Sequence, residues 1–382
     1  MSLRTLTAKQ AASLLLAQKD ILGISRLANL GPFVSLNTRV VQAVRVTLVK
    51  GQVSATTGKG WTLWQALCGA LGEALERYCA AHPPAFNESH YSAVPRVPLA
   101  NWGHPSNFMP RDVCLAHELL SDQPCLLPAV DVHFPYHGPD LGHTSVHPHT
   151  SGLASGATLA EATLFGLFEV VERHASSRFF SRFQRETTGA LIHVSTIEHP
   201  TITAALVDLQ KKGYDILLFR INTLLPAYYV AILDANNLGP KFMVSGVCAH
   251  IDEHHALEGA LLEAMQAIVI AAQGAREDLI RLSTSYQKQR LGKHHPFYRI
   301  REILARMNPT LTFPASARAT GRTAADILPH FLTYLRAAGI REVYRCDLSH
   351  THLPLHAVKL VVPGLFDTHI NPLKRNHAIP TS

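Results

Sequence analysis

The sequence predicts a mixed α/β protein of the α+β kind, on three observations. Three long apolar stretches with helical spacing carry acidic residues, near residues 62–80, 158–175 and 252–279. The β-branched runs lie close together along the chain, at hairpin rather than crossover spacing. Strand and helix signals do not alternate in the regular way that a βαβ array requires. With 382 residues, 47% of them apolar and 16% charged, the chain has material for a large core and for two or three subdomains.

Taken in order, residues 6–22 read as an amphipathic helix with Ala11, Leu14, Leu15 and Ile21 on one side. Residues 23–31 follow as a glycine-bounded connector, and 40–49 as a β-branched strand containing Arg45. Next comes Gly58-Lys59-Gly60. It is not a P-loop: Gly51 stands two residues too early for GxxxxGK, and Gly60 replaces the Ser or Thr that would hold a metal. Lys59 between glycines can still approach an anion.

Thr62 opens the second helix, with Gln65 completing a capping box. Residues 82–150 are rich in Pro and His and read as surface loops with a strand at 125–132. His133, His137, His143, His147 and His149 lack metal-ligand spacing. Runs 214–221 and 228–235 form a hairpin or adjacent pair, 241–248 another strand, and Asp252 caps the third long helix. Residues 297–307 and 323–338 read as helices, 342–347 and 358–362 as strands, and the tail from Asp367 has little regularity.

Bulk properties narrow the class. Six cysteines without a CxxC pair point to a reducing compartment, and the N-terminal residues lack a secretory pattern, so a cytoplasmic location is expected. No apolar run reaches the roughly 18 residues of a membrane span, so no membrane partner is expected. The net charge of +7 resides in residues 1–60, where eight Lys/Arg face one acid, Asp20. Such a segment suits nucleotide phosphates or an acidic peptide. A nucleic-acid groove is the weakest option, because basic blocks and interleaved aromatics are missing.

The three helical stretches repeat one pattern. Aligned at an offset of 96 residues, Thr62, Leu63, Ala66, Leu71, Glu73, Glu76 and Arg77 match Thr158, Leu159, Ala162, Leu167, Glu169, Glu172 and Arg173. Asp252, Ala256, Leu261, Glu263 and Gln266 fit the same register. At about 100° per residue, Glu161, Glu169 and Glu172 fall within about 80° of one another. These helices are apolar nearly all round, hence buried, and buried carboxylates need a cation, an Arg or a proton. An internal Glu–Arg network would satisfy that requirement. So would a cleft in which carboxylates hold Mg2+ while Lys59, Arg77, Arg173 and Arg276 touch phosphates. Glu161 stands at N3 of a capping box, where bonding back to the Thr158 amide is an alternative use.

SGLASGATLAEATLFGLFEVVERHA, GKGWTLWQALCGALGEALERYCA and LEAMQAIVIAAQGARED together resemble, in order and spacing from about Gly23 to Val362, the three motifs of the YcaO family. The resemblance implies a YcaO-type catalytic domain over residues 1–382, subdivided as 1–150, 151–280 with the ATP site, and 281–382. Repeated Glu-bearing helices would line an ATP cleft without a P-loop. It implies ATP and Mg2+ as cofactors, with Glu73, Glu76, Glu161, Glu169 and Glu172 on metal and nucleotide, and Lys59, Arg77, Arg173, Gln266 and Arg276 at the nucleotide. No catalytic side chain beyond these is assigned. The implied activity is ATP-dependent phosphorylation of a backbone amide oxygen in a ribosomally made precursor peptide, giving a thiazoline or oxazoline by cyclodehydration, or a thioamide. A separate leader-recognition or TfuA-like partner protein, and a homodimer or hetero-complex, are expected. A non-catalytic YcaO-like scaffold is the alternative, and a nucleic-acid-binding protein a remote one.

The chain departs from the family pattern at three places. Ala157 replaces a frequent Asn, Ile268 a frequent Arg, and the HAIPTS ending lacks a PxPxP tail. The last point, with the opening through GKG, resembles TfuA-associated members more than azoline-forming ones.

Overall fold

Local capping chemistry sets where the helices begin. In the computed structural model, which describes residues 3–47, 53–99, 102–144, 146–182, 189–234, 243–273, 308–314 and 322–365, Thr7 caps α1 (Ala8–Leu16) and Thr62 caps α2 (Leu63–Ala81). Each does so through a reciprocal box, with Gln10 and Gln65. Thr158 Oγ1 accepts the Glu161 amide at the head of α3 (Leu159–Arg182), and Asp252 Oδ1 accepts the His255 amide at the head of α5 (Glu253–Gln273). α4 (Pro200–Lys211) and α6 (Ala324–Ala337) complete the described helices. Helix α1 ends well short of residue 22, the chain turning through positive φ at Gly23.

Among the described residues, twelve strands form three sheets, every ladder pair antiparallel. The first sheet runs β1 (Ile24–Asn29), β2 (Arg39–Val46), β3 (Val53–Gly60). The second has the order β10 (Met243–Ala249), β9 (Ala227–Asp234), β8 (Tyr214–Ile221), β7 (Gly189–Leu191). The third joins distant parts of the chain: β5 (Gln123–Pro128), β4 (Val113–Glu118), β11 (Tyr344–Asp347), β12 (His356–Val361), β6 (Leu153–Gly156). The α+β expectation stands, because helices and antiparallel sheets are layered without βαβ units.

Two expectations are corrected. Residues 23–31, expected as a connector, contain strand β1, and Gly58-Lys59-Gly60, read outside any strand, ends strand β3. Lys59 is therefore a ladder residue opposite Val40. Its neighbouring glycines answer to packing. A Cβ on Gly58 would stand 1.9 Å from the Ala66 carbonyl oxygen, so α2 lies on β3 with backbone touching backbone. The same device recurs twice: a Cβ on Gly156 of β6 would meet the Ala162 nitrogen at 2.5 Å, and one on Gly246 of β10 the Ala260 oxygen at 2.2 Å. Each Glu-bearing helix thus follows a strand and lies pressed against it.

By length and composition α5 could cross a membrane, contrary to the sequence expectation. Its face Ala256, Leu257, Ala260, Leu261, Ala264 and Ile268 is buried with β8 and β9 residues, so here it is a core helix. The helix expected at 297–307 and the tail from Asp367 lie outside the described residues.

Candidate active site

Because each helix lies flat on the strand before it, the second polar residue of each ExxE or ExxQ pair reaches the next strand in the series. Glu76 of α2 accepts from Ser155 Oγ of β6 at 2.7 Å. Glu172 of α3 accepts from the Ala249 amide at the end of β10, at 3.3 Å. Gln266 of α5 donates from Nε2 to the Thr57 carbonyl of β3 at 3.4 Å. These three contacts close a ring around which the helices converge.

The first residue of each pair stays nearer home. Glu73 accepts from the Thr57 amide at 3.2 Å and from Arg77 at 3.0 Å, and Arg173 lies 3.5 Å from Glu169. Lys59 crosses from β3 to Glu263 of α5 at 3.2 Å. The ring therefore gathers Lys59, Glu73, Glu76, Arg77, Glu169, Glu172, Arg173 and Gln266 from the sequence set. Arg77 and Arg173 serve as ion-pair partners on their own helices in this arrangement. Arg276 lies outside the described residues.

Glu161 behaves differently. It sits about two helical turns before Glu169, and its side chain is only 3% exposed. Its carboxylate is engaged elsewhere than the Thr158 amide that the capping pattern suggests. Arg4 donates to Oε1 and the Thr5 amide to Oε2, both at 3.0 Å. Arg4 also donates to the Ser155 carbonyl at 2.9 Å, so Glu161 joins the ring through β6.

Electrostatics mark the ring as short of positive charge. Burial, reinforced by Glu169 and Glu73, pushes the Glu76 carboxyl up to about 8. Burial also raises Glu172, with Glu263 adding to the effect while Arg173 and Lys59 oppose it, and burial raises Glu169 against the pull of Arg173 and Lys359. Carboxylates held above their ordinary range by burial are in the state that a divalent cation relieves. The donors are all oxygen, which suits Mg2+. Among the described residues no three His, Cys, Asp or Glu side chains converge tightly enough to cage an ion alone. A Mg2+ ion needs no such cage, since it takes one or two carboxylates and completes its shell with water and phosphate oxygens. Lys59 and the two arginines supply the positive groups that phosphates require.

Sequence reasoning did not assign Glu263, Ser155 or Arg4 to the site. Glu263 was accessible, since it aligns with Glu73 and Glu169 at the repeat offset; Arg4 had no local signal. The two departures within the helical motifs both lie in apolar surroundings. Ile268 is buried among the α4, α5 and β8–β9 residues, and Ala157 packs against the α2 core. A cavity of about 390 Å3 opens beside Lys59, lined also by Arg4, Phe165, His250, His255 and Glu258.

Comparison with known proteins agrees with this geometry. The family model for YcaO cyclodehydratases, described as ATP- and Mg2+-binding, matches residues 57–366. An uncharacterized protein of Methanothermobacter thermautotrophicus is 27% identical over 379 residues, 95% of each chain. An uncharacterized protein encoded in the tfuA 3′ region of Rhizobium leguminosarum bv. trifolii is 26% identical over 369 residues, covering 90% of this chain and 84% of that one. Among solved structures, YcaO from Methanopyrus kandleri bound with AMPPCP and Mg2+ superposes with a TM-score of 0.73 at 20% identity, over 99% of this chain and 96% of that one.

Proposed function

The chain belongs to the YcaO family, whose cofactors are ATP and Mg2+, and from that premise we propose that it activates a backbone amide of a ribosomally made peptide at the expense of ATP, with a thioamide as the product. The observation that carries the reading is the closed ring of Glu76, Glu172 and Gln266, flanked by Glu73, Glu169, Glu263 and Lys59. Glu73, Glu76, Glu161, Glu169 and Glu172 would hold more than one Mg2+ ion between them, one or two carboxylates to each, and through these the phosphates; Lys59, Arg77 and Arg173 would contact the phosphates directly. Mg2+·ATP bound there would supply a phosphoryl group to the amide oxygen, otherwise a poor leaving group; an external sulfide adding to the amide carbon would then expel that oxygen as phosphate, leaving the thioamide and ADP.

The chain's own residues fix charge in advance of that transfer. Ser155 and the Ala249 amide orient Glu76 and Glu172, and Arg77 and Arg173 hold Glu73 and Glu169. Groups already oriented need no rearrangement as charge shifts in the transition state. The cavity beside Lys59 offers the acceptor peptide a place next to the phosphates.

Thioamide over azoline is favoured by the relative encoded in a tfuA 3′ region. A separate partner protein for substrate recognition, and a cytoplasmic location, belong to the same proposal.

Two measurements test it. Glu172→Gln should weaken Mg2+·ATP binding by about a hundredfold, since it removes a charged ligand from a desolvated cluster; unchanged affinity would sink the carboxylate-site reading. Mass spectrometry of a co-expressed precursor peptide then separates the products. Exchange of one oxygen for sulfur marks a thioamide, and loss of one water per site an azoline. Mg2+·ATP binding with no mass change would mark a scaffold.

A further inference from the structure

Of the positive charge concentrated in residues 1–60, Lys59 and Arg4 reach the ring, and Arg4 lies outside the segment matched by the family model. Yet Arg4 has a thoroughly engaged guanidinium group. One nitrogen reaches both Glu161 Oε1 at 3.0 Å and the Ser155 carbonyl at 2.9 Å, and its central carbon stands 3.6 Å above the Phe165 ring. The Thr5 amide takes the other Glu161 oxygen at 3.0 Å. Ser155 in turn holds Glu76 at 2.7 Å.

Each of these contacts has a physical reason. A carboxylate as buried as Glu161 needs a counter-charge, and Arg4 is its ion-pair partner among the described residues. A planar guanidinium can stack on Phe165 while donating at its edge, which an ammonium cannot do. A carboxylate offers about four acceptor positions. Arg4 and Thr5 use two of Glu161's, leaving the others for a metal.

We propose that Arg4 is a positioning residue of the Mg2+·ATP site: reaching in from ahead of α1, it fixes Glu161 on α3 and, through Ser155, Glu76 on α2. Residues 4 and 5 thereby link two of the three helices at the ring. The assignment rests on the Mg2+·ATP reading above.

The test is equilibrium binding of ATP to the full chain, titrated with and without Mg2+. Arg4→Gln should raise the Mg2+·ATP dissociation constant by about tenfold to a hundredfold, the range for partners of metal ligands, and leave Mg2+-free ATP binding within about twofold. A merely structural arginine would change both alike. Arg4→Lys keeps the charge but loses the fork, and should recover only part of the affinity. In a Glu161→Gln background, Arg4→Gln should add almost nothing, because the two act as one unit.

Equal loss with and without Mg2+, or an undiminished effect beside Glu161→Gln, overturns the assignment. So does tighter Mg2+ binding in Arg4→Gln, which would make Arg4 a competitor for the cation's place. Should Arg4→Gln fail to fold, Arg4→Lys carries the same comparison. A wild-type chain that binds no Mg2+·ATP removes the functional reading and this role together, whereas normal wild-type binding with an indifferent Arg4→Gln removes this role alone.

Discussion

Helices α2 and α3 carry Glu, Glu and Arg at equivalent places, whereas α5 carries Glu and Gln and has Ala267 in place of the arginine that follows the pair. The reason lies on the opposing strands. Glu76 and Glu172 each meet a donor, the Ser155 hydroxyl and the Ala249 amide, and a carboxylate accepts from both. Gln266 meets the Thr57 carbonyl, an acceptor, which only an amide or a protonated acid can satisfy. The third unit is therefore no eroded copy of the other two. Its Gln is the group its strand demands, and its carboxylate, Glu263, is balanced from outside the helix by Lys59.

What all three units share is the glycine under the helix, and removing it is the largest perturbation expected. Gly58→Ala puts a Cβ 1.9 Å from a helix carbonyl, and rigid backbone lies on both sides of the clash. The cost should be about 3 kcal/mol or more, at or beyond the usual range for overpacking. Gly246→Ala, with its closest approach at 2.2 Å, should behave alike. Denaturant unfolding of both variants checks whether the units are equivalent. If either substitution were neutral, that helix would not be seated as its counterparts are.

The same glycines explain what could be read in advance and what could not. The helices, their caps at Thr62 and Asp252 and the hairpin β8–β9 are local matters of period and end chemistry, so they were visible in the chain. Strand β3, with Ser-Ala-Thr-Thr-Gly-Lys-Gly after its first residue, has the composition of a loop. It is a strand because an edge of the first sheet and a whole helix need it to be one, and its glycines are dictated by a helix that follows them. Strand β6 was missed for the same reason. The ring itself was half legible. The repeat offset brought Glu73, Glu76, Glu169 and Glu172 together, but the use of Glu161 depended on Arg4, 157 residues away, which no local pattern announces.

A smaller change sharpens the contrast between the units. Gln266→Glu places a carboxylate against the Thr57 carbonyl and adds negative charge to a ring already short of cations. The lost donor and the repulsion should cost about 1–3 kcal/mol in the free protein, and added Mg2+ should restore part of it. Thermal unfolding with and without Mg2+ reads both numbers. A variant as stable as wild type without Mg2+ would mean that donor and acceptor matching does not distinguish α5 from α2.

The last contrast is the pH response of Glu76, for which α5 has no equivalent ionisable group. Its carboxyl is raised from an ordinary 4.5 to about 8, chiefly by burial. Between those values the folded chain holds a proton that the unfolded chain has released, so stability must fall as pH rises through this window. Below 4.5 both states are protonated and the penalty vanishes; above 8 it is complete. Mg2+ binds the ionised carboxylate, so its affinity should climb over the same interval, with about one proton released at Glu76 per ion bound near pH 7. Glu76→Gln should flatten the stability profile between about pH 5 and 8 and remove that proton release, while Gln266 variants that add no charge leave both intact. Calorimetric Mg2+ titrations in buffers of different ionisation enthalpy measure the proton count directly. An unaltered count in Glu76→Gln would assign the proton elsewhere in the ring, with Glu172, raised for the same reason of burial, as its next holder.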